Sequence, residues 1–201
     1  GPRDQHVLRI ALLPGSRRME VSSLLPPMLR AVDLLRRDQA VDAYVIQAPT
    51  IAHEMLEEIM ESTGVTLPIL PHDRGEGVAA ADIALSSSGT ATLEAAVLGT
   101  PAVVMYRLSP LTYALARRLV KLPNFSLVNI IAGRQIVPEL IQGEVEPVRI
   151  AGEVRRVMEP GRYDALRAEL AEVRSKLGEP GASERVALEI VRLVSAAPAA
   201  S

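Results

Sequence analysis

Short apolar runs alternate with longer amphipathic ones along the first half of the chain, and that alternation limits the folds open to it. The runs VLRIALLP (7–14), AYVIQAP (43–49), LPILP (67–71), ADIALSS (81–87) and PAVVMYR (101–107) are rich in Val, Ile, Leu and Ala. They read as strands buried on both faces. Between the first two, Val21, Leu24, Leu25, Met28, Leu29, Val32 and Leu35 recur at three- and four-residue spacing, while Arg30, Asp33, Arg36 and Arg37 take the other face. That is a helix pattern, with Ser22 or Ser23 as its candidate cap. Residues 51–62 give a second helix; Thr90 to Leu98 give a short one that stops at Gly99 with Pro101 just beyond. The alternation predicts parallel βαβ units with right-handed crossovers, hence an α/β fold with a Rossmann-like, doubly wound parallel sheet. After Pro138 the pattern turns helical over 147–159, 162–177 and 183–195, and the tail SAAPAAS is expected to fray. Residues 1–145 are read as the sheet domain and 146–201 as C-terminal helices.

Bulk properties narrow the function classes. With 201 residues the chain is long enough for one well-cored domain, and its net charge of −2 gives no electrostatic footprint for nucleic acid. The absence of cysteine excludes disulfides and thiolate metal sites. No apolar run approaches the roughly 18 residues needed to span a bilayer, so a cytoplasmic location is the expectation. The chain opens on Gly1 with a strand pattern almost at once at Val7. A piece processed or excised from a longer protein would begin in this way.

In open α/β sheets ligands sit beyond the carboxyl ends of the strands, where loops feed helix N-termini. Of the loops here, PGSRR (14–18), SSSGTAT (86–92) and the turn from Leu70 to Gly77 are small and polar. In SSSGTAT, Gly89 permits close backbone approach and Ser88, Thr90 and Thr92 offer hydroxyls. The helix beginning there presents unpaired N–H groups and a positive dipole end, a phosphate site that needs no lysine. Glu94, one turn on, would repel a bare phosphate. It suits a ligand with a sugar beyond the phosphates, because a carboxylate accepts two hydrogen bonds from a vicinal diol such as ribose. A capped helix with a favourable first-turn acid explains the same residues. In PGSRR, Gly15 allows a tight turn, Ser16 offers a hydroxyl and an N–H, and Arg17 brings a fork suited to phosphate oxygens. A solvated surface turn is the alternative there.

Other templates fail. The sequence has no GxxxxGK[ST] loop and no GxSxG elbow, and its histidines, His6, His53 and His72, show no metal spacing. No Asp-x-Asp pair offers to hold a divalent ion against a diphosphate, so charge on a leaving diphosphate falls to helix dipoles, N–H groups and arginine. The expectation is a metal-independent site without a cofactor. The GEGVAA stretch (75–80) reads as a loop with one helical turn. His72 reads as a surface residue, with lining a base pocket as its alternative. Tyr113, Arg117, Arg118 and Lys121 share a segment with leucines that reads as an amphipathic packing helix, with anionic lipid as the other possible contact.

IALLPGSRRMEV, SSSGTATLEAAVLGTPAVVMYRLSPLTY and SLVNIIAGRQIVPELIQ, in this order, resemble the carboxyl-terminal half of lipid-A-disaccharide synthase. The resemblance covers roughly residues 8 to 195. It implies one half of a GT-B architecture, the half that holds the UDP-sugar donor. The family transfers 2,3-diacylglucosamine from UDP to 2,3-diacylglucosamine 1-phosphate, forming a β-1,6 disaccharide and releasing UDP. Residue by residue, the resemblance implies that Ser16 and Arg17 contact the diphosphate and that Ser88, Gly89, Thr90 and Ala91 cradle phosphate. Glu94 would take the ribose hydroxyls, with Gly15 and Thr92 as further donor-site candidates. The family asparagine, which the resemblance places at the diphosphate, falls on Asn129, with Arg134 and Glu139 nearby as further donor-site candidates. Val128 stands where proline is common, and Asn124, in LPN, is the competing register. Backbone groups of Leu70, Pro71 and His72 would read the uracil edge.

The family's amino-terminal domain lies outside this sequence. The acceptor site, the acyl-chain contacts and the acidic general base would be found there, leaving no catalytic residue in this chain. In related two-domain enzymes the last helix crosses back to the first domain. Read as that helix, 183–195 would expose Val186, Ile190 and Leu193. The chain alone is then expected to bind UDP-sugar without transfer, and the full enzyme to sit at the inner membrane peripherally. Rival readings are the peptidoglycan-precursor N-acetylglucosaminyltransferase, UDP-N-acetylglucosamine 2-epimerase, and a non-catalytic nucleotide-sugar binding module. The combination of LPGSR with AGR…PEL argues against the first two.

Overall fold

A computed structural model describes residues 7–72, 75–108, 124–178, 181, 186–187 and 190. Strands β1 (Val7–Leu13), β2 (Ala40–Gln47), β3 (Ile69–Pro71), β4 (Ile83–Ser87), β5 (Ala102–Tyr106) and β6 (Glu139–Ile141) form one sheet in the order β3-β2-β1-β4-β5-β6. Every pairing is parallel. This is the doubly wound order with its switch point between β1 and β4, where successive crossovers leave in opposite directions. The apolar runs explain it: Ile10 to Leu13 and all of β4 are buried on both faces, as central parallel strands must be. Strand β6 falls where a helical pattern was expected to begin. Three residues behind Pro138 are too few to show a period.

The helices are α1 (Arg18–Arg36), α2 (His53–Thr63), α3 (Glu76–Ala80), α4 (Thr90–Val97), α5 (Leu127–Ala132), α6 (Pro147–Val157) and α7 (Arg162–Lys176). Helix α1 begins earlier than the serine caps require. Arg17 is its N-cap, and the hydroxyls of Ser22 and Ser23 instead bond back to the carbonyls of Arg18 and Glu20 from inside the helix. The Ser22/Ser23 cap is therefore corrected: Arg18 and Met19 carry no apolar periodicity, which hid the first turn. Helix α4 ends as expected, at Gly99 with φ +75°. Helix α6 packs on α1 and β5, and α7 packs on α4 and α5. The described C-terminal helices thus extend the same layers that cover the sheet.

Val186 and Ile190 are more than half exposed. Leu193 and most of the segment 183–195 lie outside the described residues, as do Tyr113, Arg117, Arg118 and Lys121. Among the described residues no helix is long and apolar enough to cross a membrane.

Candidate functional site

The switch-point rule places the site at the carboxyl ends of β1 and β4. A cleft of about 470 Å³ opens there, lined by Gly15, Ser16, Arg17 and Glu20 from the β1 side, Ala48 and Pro49 after β2, His72 after β3, and Ser87 to Ala91 with Glu94 from the β4 side. Two helices, α1 and α4, start at its rim. The leading N–H groups of each lack intrahelical acceptors, so two positive dipole ends converge on one space.

The β1 loop is tightly fixed. Gly15 has φ +119°, and a Cβ there would stand 2.6 Å from Glu20 Oε2 and 2.9 Å from Glu20 Cβ. Thr50, after β2, donates its hydroxyl to the Ser16 carbonyl at 2.6 Å. The Arg17 side chain is 81% exposed and Glu20 19%, and Arg17 Nη1 donates to Glu20 Oε1 at 2.9 Å.

On the β4 side Gly89 is the N-cap of α4 and has open space around its α carbon. The Ser88 N–H is held by the Met105 carbonyl at 2.8 Å, and its hydroxyl donates to the Phe125 carbonyl at 3.4 Å. Thr90 is exposed and Ala91 half-buried, both facing the cleft. Glu94 is also half-buried; its Oε2 lies 3.3 Å from His72 Nε2. Of the three residues expected at the uracil edge, Leu70 and Pro71 belong to the edge strand opposite Ile46 and Gln47 and do not line the cleft. His72 does: it is exposed, as a surface residue would be, and its imidazole faces Glu94 across the cleft rim. Its neighbours Asp73 and Arg74 lie outside the described residues.

Several expected contacts are corrected. Thr92 is fully buried, with its hydroxyl donating to the Gly89 carbonyl at 2.7 Å, so it closes the first turn of α4 rather than facing a ligand. Asn129, expected at the diphosphate, is fully buried and saturated. Its Nδ2 donates to the Val137 carbonyl (2.9 Å) and Glu139 Oε1 (2.7 Å), and its Oδ1 accepts from the N–H groups of Ile136 (2.8 Å) and Val137 (3.0 Å). Glu139 accepts in addition from the N–H groups of Phe125 and Ser126 and from the Ser126 hydroxyl. The pair locks the 124–126 turn to β6, and that turn carries the carbonyl that meets Ser88. Asn124, the competing register, is itself buried and lies outside the cleft lining. Arg134 pairs with Glu169 of α7 at 3.0 Å, away from the cleft.

Sequence reasoning missed Glu20, Ala48, Pro49 and the Thr50 brace. Glu20 was legible as an acid three residues beyond a phosphate-type arginine. The others follow from the strand order, since β2 lies beside β1.

A family model described as lipid-A-disaccharide synthetase matches residues 2–185. The lipid-A-disaccharide synthase of Myxococcus xanthus is 47% identical over 189 residues, covering 92% of this chain and 49% of that protein. The enzyme of the same name from Syntrophus aciditrophicus is 40% identical, covering 94% and 50%. The chain spans about half the length of the curated relatives it matches. Among solved structures, the calicheamicin glycosyltransferase CalG4 matches with TM-score 0.59 at 19% identity, covering 98% of this chain and 46% of that one. The Acinetobacter baumannii MurG gives 0.55 at 16%, covering 95% and 51%. The spinosyn rhamnosyltransferase SpnG, complexed with thymidine diphosphate, gives 0.54 at 16%, covering 85% and 42%. These structural likenesses extend to the fold, a GT-B half. The sequence matches go further: the chain belongs to the lipid-A-disaccharide synthetase family.

Proposed function

We propose that this chain is the donor-binding half of a hexosyltransferase that moves 2,3-diacylglucosamine from UDP to 2,3-diacylglucosamine 1-phosphate, and that the cleft between the starts of α1 and α4 takes UDP. The observation that carries the reading is the convergence of two helix N-termini and Arg17 on one cleft that also holds Glu94. Amide dipoles and a guanidinium suit a diphosphate, and a carboxylate suits the ribose diol. The transfer breaks the bond between the anomeric carbon and the diphosphate oxygen and forms one to the acceptor hydroxyl, whose proton passes to a base outside this chain. These residues contribute by stabilising the leaving diphosphate, with Arg17 as its cation and no metal ion. The acceptor, its acyl chains and contact with the membrane surface belong to the amino-terminal domain, so the chain by itself binds UDP and turns over little or no donor.

The test is calorimetric titration of the chain with UDP. Arg17→Ala should weaken UDP, and Glu94→Ala should weaken it by about 1.5–3 kcal/mol, the value of charge-assisted hydrogen bonds. Unchanged affinity in both variants, or no UDP binding at all, would overturn the assignment.

A further inference from the structure

A cleft meant for a diphosphate should not carry surplus negative charge, yet its described lining sets two carboxylates, Glu20 and Glu94, against a single guanidinium, Arg17. The proposed function gives Glu94 a partner in ribose and gives Glu20 none. Glu20 is nonetheless the better packed of the two. Its carboxyl group lies under the β1 loop, in space that only a glycine at position 15 leaves open. From there it accepts a hydrogen bond from Nη1 of an arginine that is otherwise 81% exposed. An arginine so exposed would sample many rotamers, and a ligand that orders it gives up side-chain entropy. A guanidinium has five N–H donors, so one bond to Glu20 leaves the rest of the fork available.

From this geometry we infer that Glu20 is a positioning residue: it holds Arg17 at the start of α1, prepaid in orientation, so that the remaining donors meet the diphosphate. The inference rests on the diphosphate reading of the cleft. Glu20 touches no ligand itself and acts through Arg17. It also takes one donor that would otherwise wander, and its own charge opposes the diphosphate.

The experiment compares UDP with uridine, which lacks the diphosphate, on the chain and its variants, by calorimetry and by ligand-detected NMR. Glu20→Ala should weaken UDP about tenfold and leave uridine unchanged. Glu20→Gln keeps an oxygen acceptor for Nη1 and should stay within about threefold of the parent. In an Arg17→Ala background, Glu20→Ala should cost nothing further, since an effect routed through Arg17 vanishes with it. A purely structural role for Glu20 would weaken uridine and UDP alike. If Glu20→Ala loses uridine binding through misfolding, Glu20→Met, which keeps the volume without an acceptor, replaces it. UDP affinity unchanged or raised in the acceptor-less variant would overturn the inference, as would losses that add to those of Arg17→Ala. In either case a UDP affinity that still falls in Arg17→Ala leaves the diphosphate reading standing; a parent chain that binds no UDP ends both.

Discussion

Arg107 Nη1 donates to the Ser23 carbonyl at 2.9 Å, the carbonyl that Pro27, four residues on in α1, has no N–H to reach. The same guanidinium donates from Nη2 to the Val145 carbonyl at 2.6 Å and from Nε to the Gln142 carbonyl at 3.3 Å. One side chain at the end of β5 thus repairs a gap in α1 and ties it to the turn that follows β6. Arg107→Ala should lower stability by about 2–3 kcal/mol in urea melts, because a half-buried carbonyl set loses a charged donor. Arg107→Lys should recover only part of this, lacking the planar fork. Parent-like stability in Arg107→Ala would show that water serves those carbonyls equally well.

Gly15 is the residue on which the β1 loop turns. Its φ of +119° and the 2.9 Å approach to Glu20 Cβ leave no room for a methyl group. Gly15→Ala should cost about 1–3 kcal/mol of stability from backbone strain, and weaken UDP by displacing Glu20 and the helix start. Gly143, where a Cβ would meet nothing within 4 Å, is the matched control, and Gly143→Ala should melt like the parent. Equal melting of the two variants would remove the steric argument.

His72 and Glu94 form a partly exposed pair at 3.3 Å, with side-chain exposures of 37% and 30%. Such pairs contribute about 0.2–1 kcal/mol, less than two charge-assisted bonds to a ribose diol. UDP should therefore displace the imidazole easily: His72→Ala should change UDP affinity by no more than about threefold, against tenfold or more for Glu94→Ala. If His72→Ala were as damaging as Glu94→Ala, the imidazole would have to touch the nucleotide directly.

The sheet was legible because its central strands are buried on both faces and so are written as unbroken apolar runs. The two phosphate-type loops were legible for a related reason: strand order alone sends the ends of β1 and β4 to one place. Two short elements, β6 and α5, escaped. β6 spans Glu139–Ile141 and α5 only Leu127–Ala132, lengths over which neither period develops. The part of the site that failed was tertiary. Nothing in SLVN says whether the carboxamide of Asn129 faces a cleft or is consumed by groups seven to ten residues downstream. The resemblance singled out Asn129 and Glu139, which the fold joins in one hydrogen-bond network, but a motif cannot tell contact with a ligand from support of the wall beside it.

That distinction is measurable. Asn129 makes four hydrogen bonds at full burial, and Glu139 takes the turn amides of Phe125 and Ser126. Asn129→Ala leaves the Ile136 and Val137 N–H groups and the Val137 carbonyl short of partners, and should destabilise the chain by about 2–3 kcal/mol. Arg17→Ala, at an exposed position, should stay within about 0.5 kcal/mol of the parent. Because Asn129 and Glu139 share one network, the Asn129→Ala and Glu139→Gln losses should fall short of additivity when combined. UDP binding, measured at a temperature where the folded fraction is complete, should weaken far less in Asn129→Ala than in Arg17→Ala. The reverse pattern, parent-like stability with UDP affinity abolished, would mean that the carboxamide leaves its present partners and turns to the diphosphate when the nucleotide arrives.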